Sequence, residues 1–156
     1  MKKTTLLLGV LVLAFASMGF ECSVTTANLS DIKIASDKEG KSVVSSADVG
    51  KPVFCIVEAT GIPSGKHKVA WKVTFDNVAG KNKGDKVGEQ SMDITQSSQL
   101  WTEFTAALPG DYKVEATLTD EGGKTIATKS STIKVTGSAP AAPAAKNDDK
   151  DGDEDK

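Results

Sequence analysis

One histidine, His67, and two cysteines, Cys22 and Cys55, are the side chains best suited to acid–base, nucleophilic or soft-metal chemistry near neutral pH. Serines are plentiful, but none sits in a Gly-x-Ser-x-Gly elbow, and a serine nucleophile would have only His67 as its base. The 21 acidic residues could supply a carboxylate pair for glycoside hydrolysis, yet no spacing singles out a pair. Gly80 to Gly84 follows a strand pattern without opening a helix, so it lacks the geometry that cradles a phosphate. Two cysteines and one histidine fall short of a metal site unless carboxylates complete it. The expectation is a protein that is not an enzyme, with no catalytic residue, no metal and no cofactor.

Charge excludes further classes. The 156 residues carry 19 basic groups, all lysine, against 21 acids, for a formal net charge of −2. That balance gives no broad attraction to nucleic acid, and the absence of arginine removes the planar fork used to read phosphate and guanine. Lysines concentrate in two loops, Lys66 and Lys68 around His67, and Lys81, Lys83 and Lys86. An anion- or polysaccharide-binding edge, or a dock for an acidic tail, is one reading of them. Ordinary solvated turns, with lysine guarding sheet edges against pairing, account for them without either. His67, at a strand start, is expected at the surface. Residues 28–136 hold 14 lysines and 14 acids, whereas the stretch from Lys146 to Lys156 holds three lysines and six acids, so the imbalance belongs to the tail. Asn147, Asp149, Asp151 and Gly152 match positions 1, 3, 5 and 6 of a calcium loop, but the glutamate at position 12 would fall past Lys156. A solvated polyelectrolyte that attracts divalent cations weakly is the expected outcome.

The first segment reads as an export signal. Lys2 and Lys3 precede an apolar run from Leu6 to Phe15, and Ala14-Phe15-Ala16 offers a cleavage site. The run is shorter than the roughly 20 residues of a membrane-spanning helix. Cleavage after Ala16 would release a periplasmic or extracellular protein. The alternative resembles bacterial lipoproteins, with a signal over residues 1–21, a lipid on Cys22 as membrane anchor, and a tether over residues 22–27. Phe20 and Glu21 depart from the usual small residues before that cysteine. A Cys22–Cys55 disulfide would close a loop of about 30 residues and contribute roughly 3–4 kcal/mol in the chain-entropy model. If Cys22 is lipidated, Cys55 becomes a small buried hydrophobe instead.

The elements that must position these residues are strands. From Asn28 to Thr136, short alternating runs rich in β-branched residues are separated by Gly, Pro, Asn and Asp, and no window keeps helical spacing. The pattern predicts seven or eight strands: Asp31–Ala35, a weak Ser42–Ser45, Pro52–Thr60, His67–Asp76, Lys86–Ile94, Leu100–Leu108, Asp111–Asp120 and Lys124–Val135. Val69, Trp71, Val73 and Phe75 share one face opposite Lys68, Lys72 and Thr74. Tyr112, Val114, Ala116 and Leu118 do the same opposite Lys113 and Glu115. Ile126 and Ile133 fall on opposite parities, which places a bulge within Lys129–Thr132. Residues 137–156 read as an Ala/Pro linker and an acidic disordered tail.

Trp71 in the central strand and the Leu108-Pro109-Gly110-Asp111-Tyr112 turn into the next resemble an immunoglobulin-like antiparallel β-sandwich of about seven strands. More narrowly, Cys-Ser-x-Thr-Thr-Ala at Cys22, Val-x-Trp at Val69 and Pro-Gly-Asp-Tyr-Lys-Val at Pro109 resemble single-domain exported bacterial proteins, often lipoproteins, with no assigned activity. The resemblance implies Trp71 and Tyr112 as core markers. It sets Cys55 where the first cysteine of an inter-sheet pair would stand, with Val114 in place of its partner. The implied role is a non-catalytic binding module of the cell envelope whose partner is an envelope protein or a glycan. The alternative is a structural subunit that self-assembles or joins envelope proteins.

One apolar feature remains for such a role. If Val53, Cys55, Val57 and Ala59 face the core from one strand, and Leu100, Thr102, Phe104, Ala106 and Leu108 from its neighbour, then Phe54, Ile56 and Trp101 share the outer face. These three are the candidate interaction surface, unless N-terminal residues or a loop cover them or the parity is shifted by one.

Overall fold

The computed structural model describes residues 26–138. The signal segment, Cys22, most of the tether, and nearly all of the linker and tail lie outside the described residues. Alternating apolar residues bounded by turn formers give nine strands: β1 (Asn28–Leu29), β2 (Lys33–Ala35), β3 (Ser46–Asp48), β4 (Pro52–Thr60), β5 (His67–Val78), β6 (Lys86–Ile94), β7 (Ser98–Thr105), β8 (Gly110–Thr119) and β9 (Thr125–Thr136). They form two sheets. In the four-stranded sheet, β4 pairs with β1 and β2 on one side and with β7 on the other. The five-stranded sheet has the order β3-β9-β8-β5-β6.

Short strands account for the differences from the expected set. The predicted Ser42–Ser45 strand is reduced to one bridge, between Ala35 and Val43. The chain then crosses to the other sheet and pairs β3 parallel to the end of β9, Ser46 opposite Lys134. Antiparallel pairing throughout was expected, so this is a correction: a three-residue strand carries too little periodicity to announce its partner. Two-residue β1 was not expected at all.

The long strands place the core. From β5, His67, Val69, Trp71 and Val73 point inward, and from β8, Tyr112, Val114, Ala116 and Leu118. An extra residue at Asp76 shifts the β5–β8 register so that Val78 is also buried. In β9 the register breaks between Leu118–Ala127 and Thr119–Thr125, which makes Ile126 the extra residue. The bulge therefore lies earlier than the predicted Lys129–Thr132, and one parity runs unbroken from Ala127 to Val135. Trp71 and Tyr112 head the fully buried large side chains. The Tyr112 hydroxyl donates to the Leu108 carbonyl at 2.8 Å, and burial pushes its pKa up. That hydrogen bond pins the turn before β8. Gly110 in this turn has φ +139°, and a Cβ there would lie 2.5 Å from the Asn77 carbonyl oxygen, so only glycine fits.

Candidate functional site

The β4–β7 ladder sets Ile56 opposite Trp101, Cys55 opposite Thr102 and Phe54 opposite Glu103, without a register shift. Period-two alternation then sends Cys55 inward and Phe54, Ile56 and Trp101 outward. Phe54 and Trp101 meet edge to face, with ring centroids 5.5 Å apart and planes at 77°, a favoured aromatic geometry. Trp101 is 40% exposed, whereas Phe54 is half-buried.

Ile56 differs from its two neighbours. It lies on the outer face as expected, yet only 3% of it is exposed, the outcome in which a loop covers this face. The segment between β2 and the Val43 bridge folds across the outer face as a strap. A Cβ on Gly40 would sit 3.1 Å from Ile56 Cδ1, so the strap backbone lies directly on this side chain. Asp37 holds the strap in shape. Its two carboxylate oxygens accept the Lys41 N–H at 2.9 Å and the Ser42 N–H at 2.7 Å. The Lys41 hydrogen bond is the main reason the Asp37 pKa falls below its ordinary 3.8. Gln99 Nε2 donates to the Lys38 carbonyl at 3.3 Å and ties the strap to β7. The run Asp37-x-x-Gly40-x-Ser42 is the turn signal that could have revealed this cover.

Cys55 has no disulfide partner among the described residues and is wholly buried, and burial pushes its thiol from 9.0 to about 12. Its environment is that of a small hydrophobe. His67 is also buried, at 6% exposure, with Nδ1 3.3 Å from the Gly65 carbonyl oxygen. That corrects the expected surface position, and the signal was present: His67 shares the inward parity of Val69 and Trp71.

The lysine loops carry their own counter-charges. Lys66 and Lys68 share a cleft of about 240 Å³ with Asp93, Asp120 and Glu121. Lys83 pairs with Asp76 at 2.6 Å and Lys86 with Glu89 at 3.1 Å, while Lys81 stands over the Phe75 ring at 5.9 Å. Among the described residues, no three His, Cys, Asp or Glu side chains converge as metal ligands.

The two sheets are stitched at their β6 and β7 edges, where Thr102 Oγ1 donates to Gln90 Oε1 at 2.8 Å. Beside that bond lies a cleft of about 180 Å³ walled by Trp71, Val73, Gly88 and Phe104. Trp71 Nε1 is a buried donor with no protein acceptor among the described residues.

No protein-family model matches the chain, and no curated protein matches it. Solved structures with a similar chain path include the CARDB domain of a Pyrococcus furiosus protein. It is 16% identical, with a TM-score of 0.43 over 70% of this chain and 89% of that one. The sporulation control protein Spo0M of Bacillus subtilis is 14% identical, with a TM-score of 0.45 over 71% of this chain and 49% of that one. A cycloisomaltooligosaccharide glucanotransferase of a Paenibacillus species is 13% identical, with a TM-score of 0.48 over 70% of this chain. This chain spans only 14% of that enzyme's length. These likenesses lend nothing to a functional reading.

Proposed function

We propose that this chain is an exported, non-catalytic binding module with an immunoglobulin-like sandwich, working at the bacterial cell envelope on an envelope protein or a glycan. It is held at the membrane by a lipid on Cys22, or is free in the periplasm or outside after cleavage behind Ala16. The observation that carries the binding role is the Phe54–Trp101 pair, an edge-to-face aromatic couple whose Trp101 is exposed beside the strap over Ile56. Aromatic side chains with such exposure are preferred anchors at interfaces. Among the described residues, the lysines of the two basic loops stand beside acids instead of forming an uncompensated patch.

A photo-cross-linking residue at position 101, introduced in the exporting cell, tests the face. The expected result is an adduct with an envelope component from position 101 and none from position 72, which lies on the outer face of the other sheet. Equal labelling from both, or none from position 101, overturns the proposed face. The intact mass of the native chain tests the export reading. An N-terminus at a lipid-bearing Cys22 or at Ser17 supports it, and an unprocessed Met1 overturns it.

A further inference from the structure

Edges of a sheet carry unpaired backbone N–H and C=O groups, and proteins blunt them with charge, glycine, bulges or brevity. Three of the edges here are treated in this way. The β1–β2 edge is broken into pieces of two and three residues. On the β9 side, β3 covers Ser46–Asp48 opposite Lys134 to Thr136, and the open remainder carries Lys129 and the extra residue Ile126. Strand β6 carries Lys86, Glu89 and Asp93, contains Gly88, and has Val87 as an extra residue against β5.

Strand β7 is the least protected of the edges, with one charge, Glu103, as its single device. Its eight residues, Ser98–Thr105, include no Gly, Pro or Lys, and they pair with β4 without a register shift. Among the described residues no strand pairs with its other side. The strand presents Trp101 as an exposed aromatic and Glu103 as its single charge.

We propose that the β7 edge is an interface for a second copy of this chain, paired antiparallel and centred on Trp101, so that two four-stranded sheets join into one. The sequence of β7 is self-complementary in that register. Trp101 meets its twin, and an aromatic pair across strands is favourable. Glu103 meets the neutral Gln99 of the other copy, once on each side of the two-fold axis. Inward-facing Leu100 meets Thr102, and Phe104 meets Ser98. Centring the pair on Glu103 would instead set two carboxylates against each other, which the Trp101 register avoids. Side chains alternate faces in the joined sheet, so the two Phe54–Trp101 couples become one continuous apolar strip. The pairing does not rest on which partner the strip binds.

Sedimentation equilibrium of the purified chain, over a wide range of concentration and without any other component, tests this. The expected result is a reversible dimer, and Trp101→Lys, which opposes two like charges at the axis, weakens it by about tenfold or more. Gln99→Glu sets a second carboxylate against Glu103 on each side of the axis and weakens the dimer by about fivefold, whereas Gln99→Lys tightens it by a similar factor. The two Gln99 variants decide the register even if the Trp101 variant fails to fold. A monomer at every concentration overturns the proposal. So does an association that ignores the sign of the charge at position 99, because it would be using another surface. Loss of partner cross-linking from position 101 with the dimer intact would count against the binding face alone.

Discussion

The two outer faces of the sandwich are built on the same two-residue period, yet the four-stranded one sets large apolar side chains among its exposed charges, Lys33, Glu58 and Glu103. The five-stranded sheet shows water Lys68 and Lys72 from β5, Lys113 from β8, and Thr132 and Lys134 from β9. The four-stranded sheet turns Phe54, Ile56 and Trp101 outward, then covers the middle one with a strap. A face that meets water needs no cover and is free to carry charge. A face that stays apolar must be covered by its own chain, by a partner, or by a second copy. Here the strap covers Ile56, and Trp101 is left over. The strap and the aromatic pair together account for the apolar part of this face, one covering Ile56 and the other standing beside the cover.

The largest effect should come from emptying the covered position. Ile56→Ala removes buried methylenes between β4 and the strap and should cost about 2 to 4 kcal/mol in denaturant unfolding. Lys72→Ala, at an exposed position on the other outer face, should stay within about 0.5 kcal/mol. Equal costs would mean that the strap does not pack on the sheet, and the contrast between the faces would disappear.

Gly40 sharpens the same point at smaller scale. It has φ +71°, and an added Cβ would press on Ile56 Cδ1 at 3.1 Å and on Lys33 Cδ at 3.3 Å. Gly80 has a similar φ of +73° with nothing within 4 Å. Alanine at either site pays the left-handed backbone strain, about 1 kcal/mol. Only at Gly40 must the strap also lift from Ile56. Gly40→Ala should therefore be the more destabilising of the two, and Trp101 emission should shift only in that variant. A Gly80→Ala variant at least as costly would place the penalty in the backbone and not in the strap.

How far all this was legible follows from which faces meet water. Strands β5 and β8 bury one face and wet the other, so alternation alone located Trp71, Val73, Tyr112 and Leu118 in the core. Strand β4 is apolar on both faces, so alternation shows which residues share a face without showing what covers the second one. Ile56 could therefore be placed on the outer face with a covering loop as one alternative, but not with residues 36–42 as the cover, because that is a tertiary fact. The short strands β1 and β3 lie below the length at which any period can be read, and with them went the parallel pairing to β9. The bulge at Ile126 was misplaced because a parity break shows only that a shift lies between two apolar residues, not where. His67 was misread because its type outweighed its parity. The open edge of β7 was not legible either, since an edge is defined by which strands fail to arrive.

The smallest effect, and the most specific to the strap, is acid titration of Asp37. Its carboxylate accepts the Lys41 and Ser42 amides and is exposed, so its folded pKa lies below the ordinary 3.8. A group whose pKa is lowered on folding adds stability that is complete above the unfolded value and is lost as pH falls through the folded one. The strap should thus be fully ordered above pH 3.8 and loosen only in more acid solution. The Lys41 and Ser42 amide resonances should titrate together with a midpoint below 3.8, and Asp37→Asn should abolish that titration. The Lys113 and Glu115 amides on the opposite face should not follow the same curve, because their backbone groups are held in the β8 ladders with β5 and β9. A midpoint at or above 3.8 would show that the carboxylate does not hold the turn. The cover on Ile56 would then depend on packing alone, and the amount of apolar face left beside Trp101 would not respond to acid.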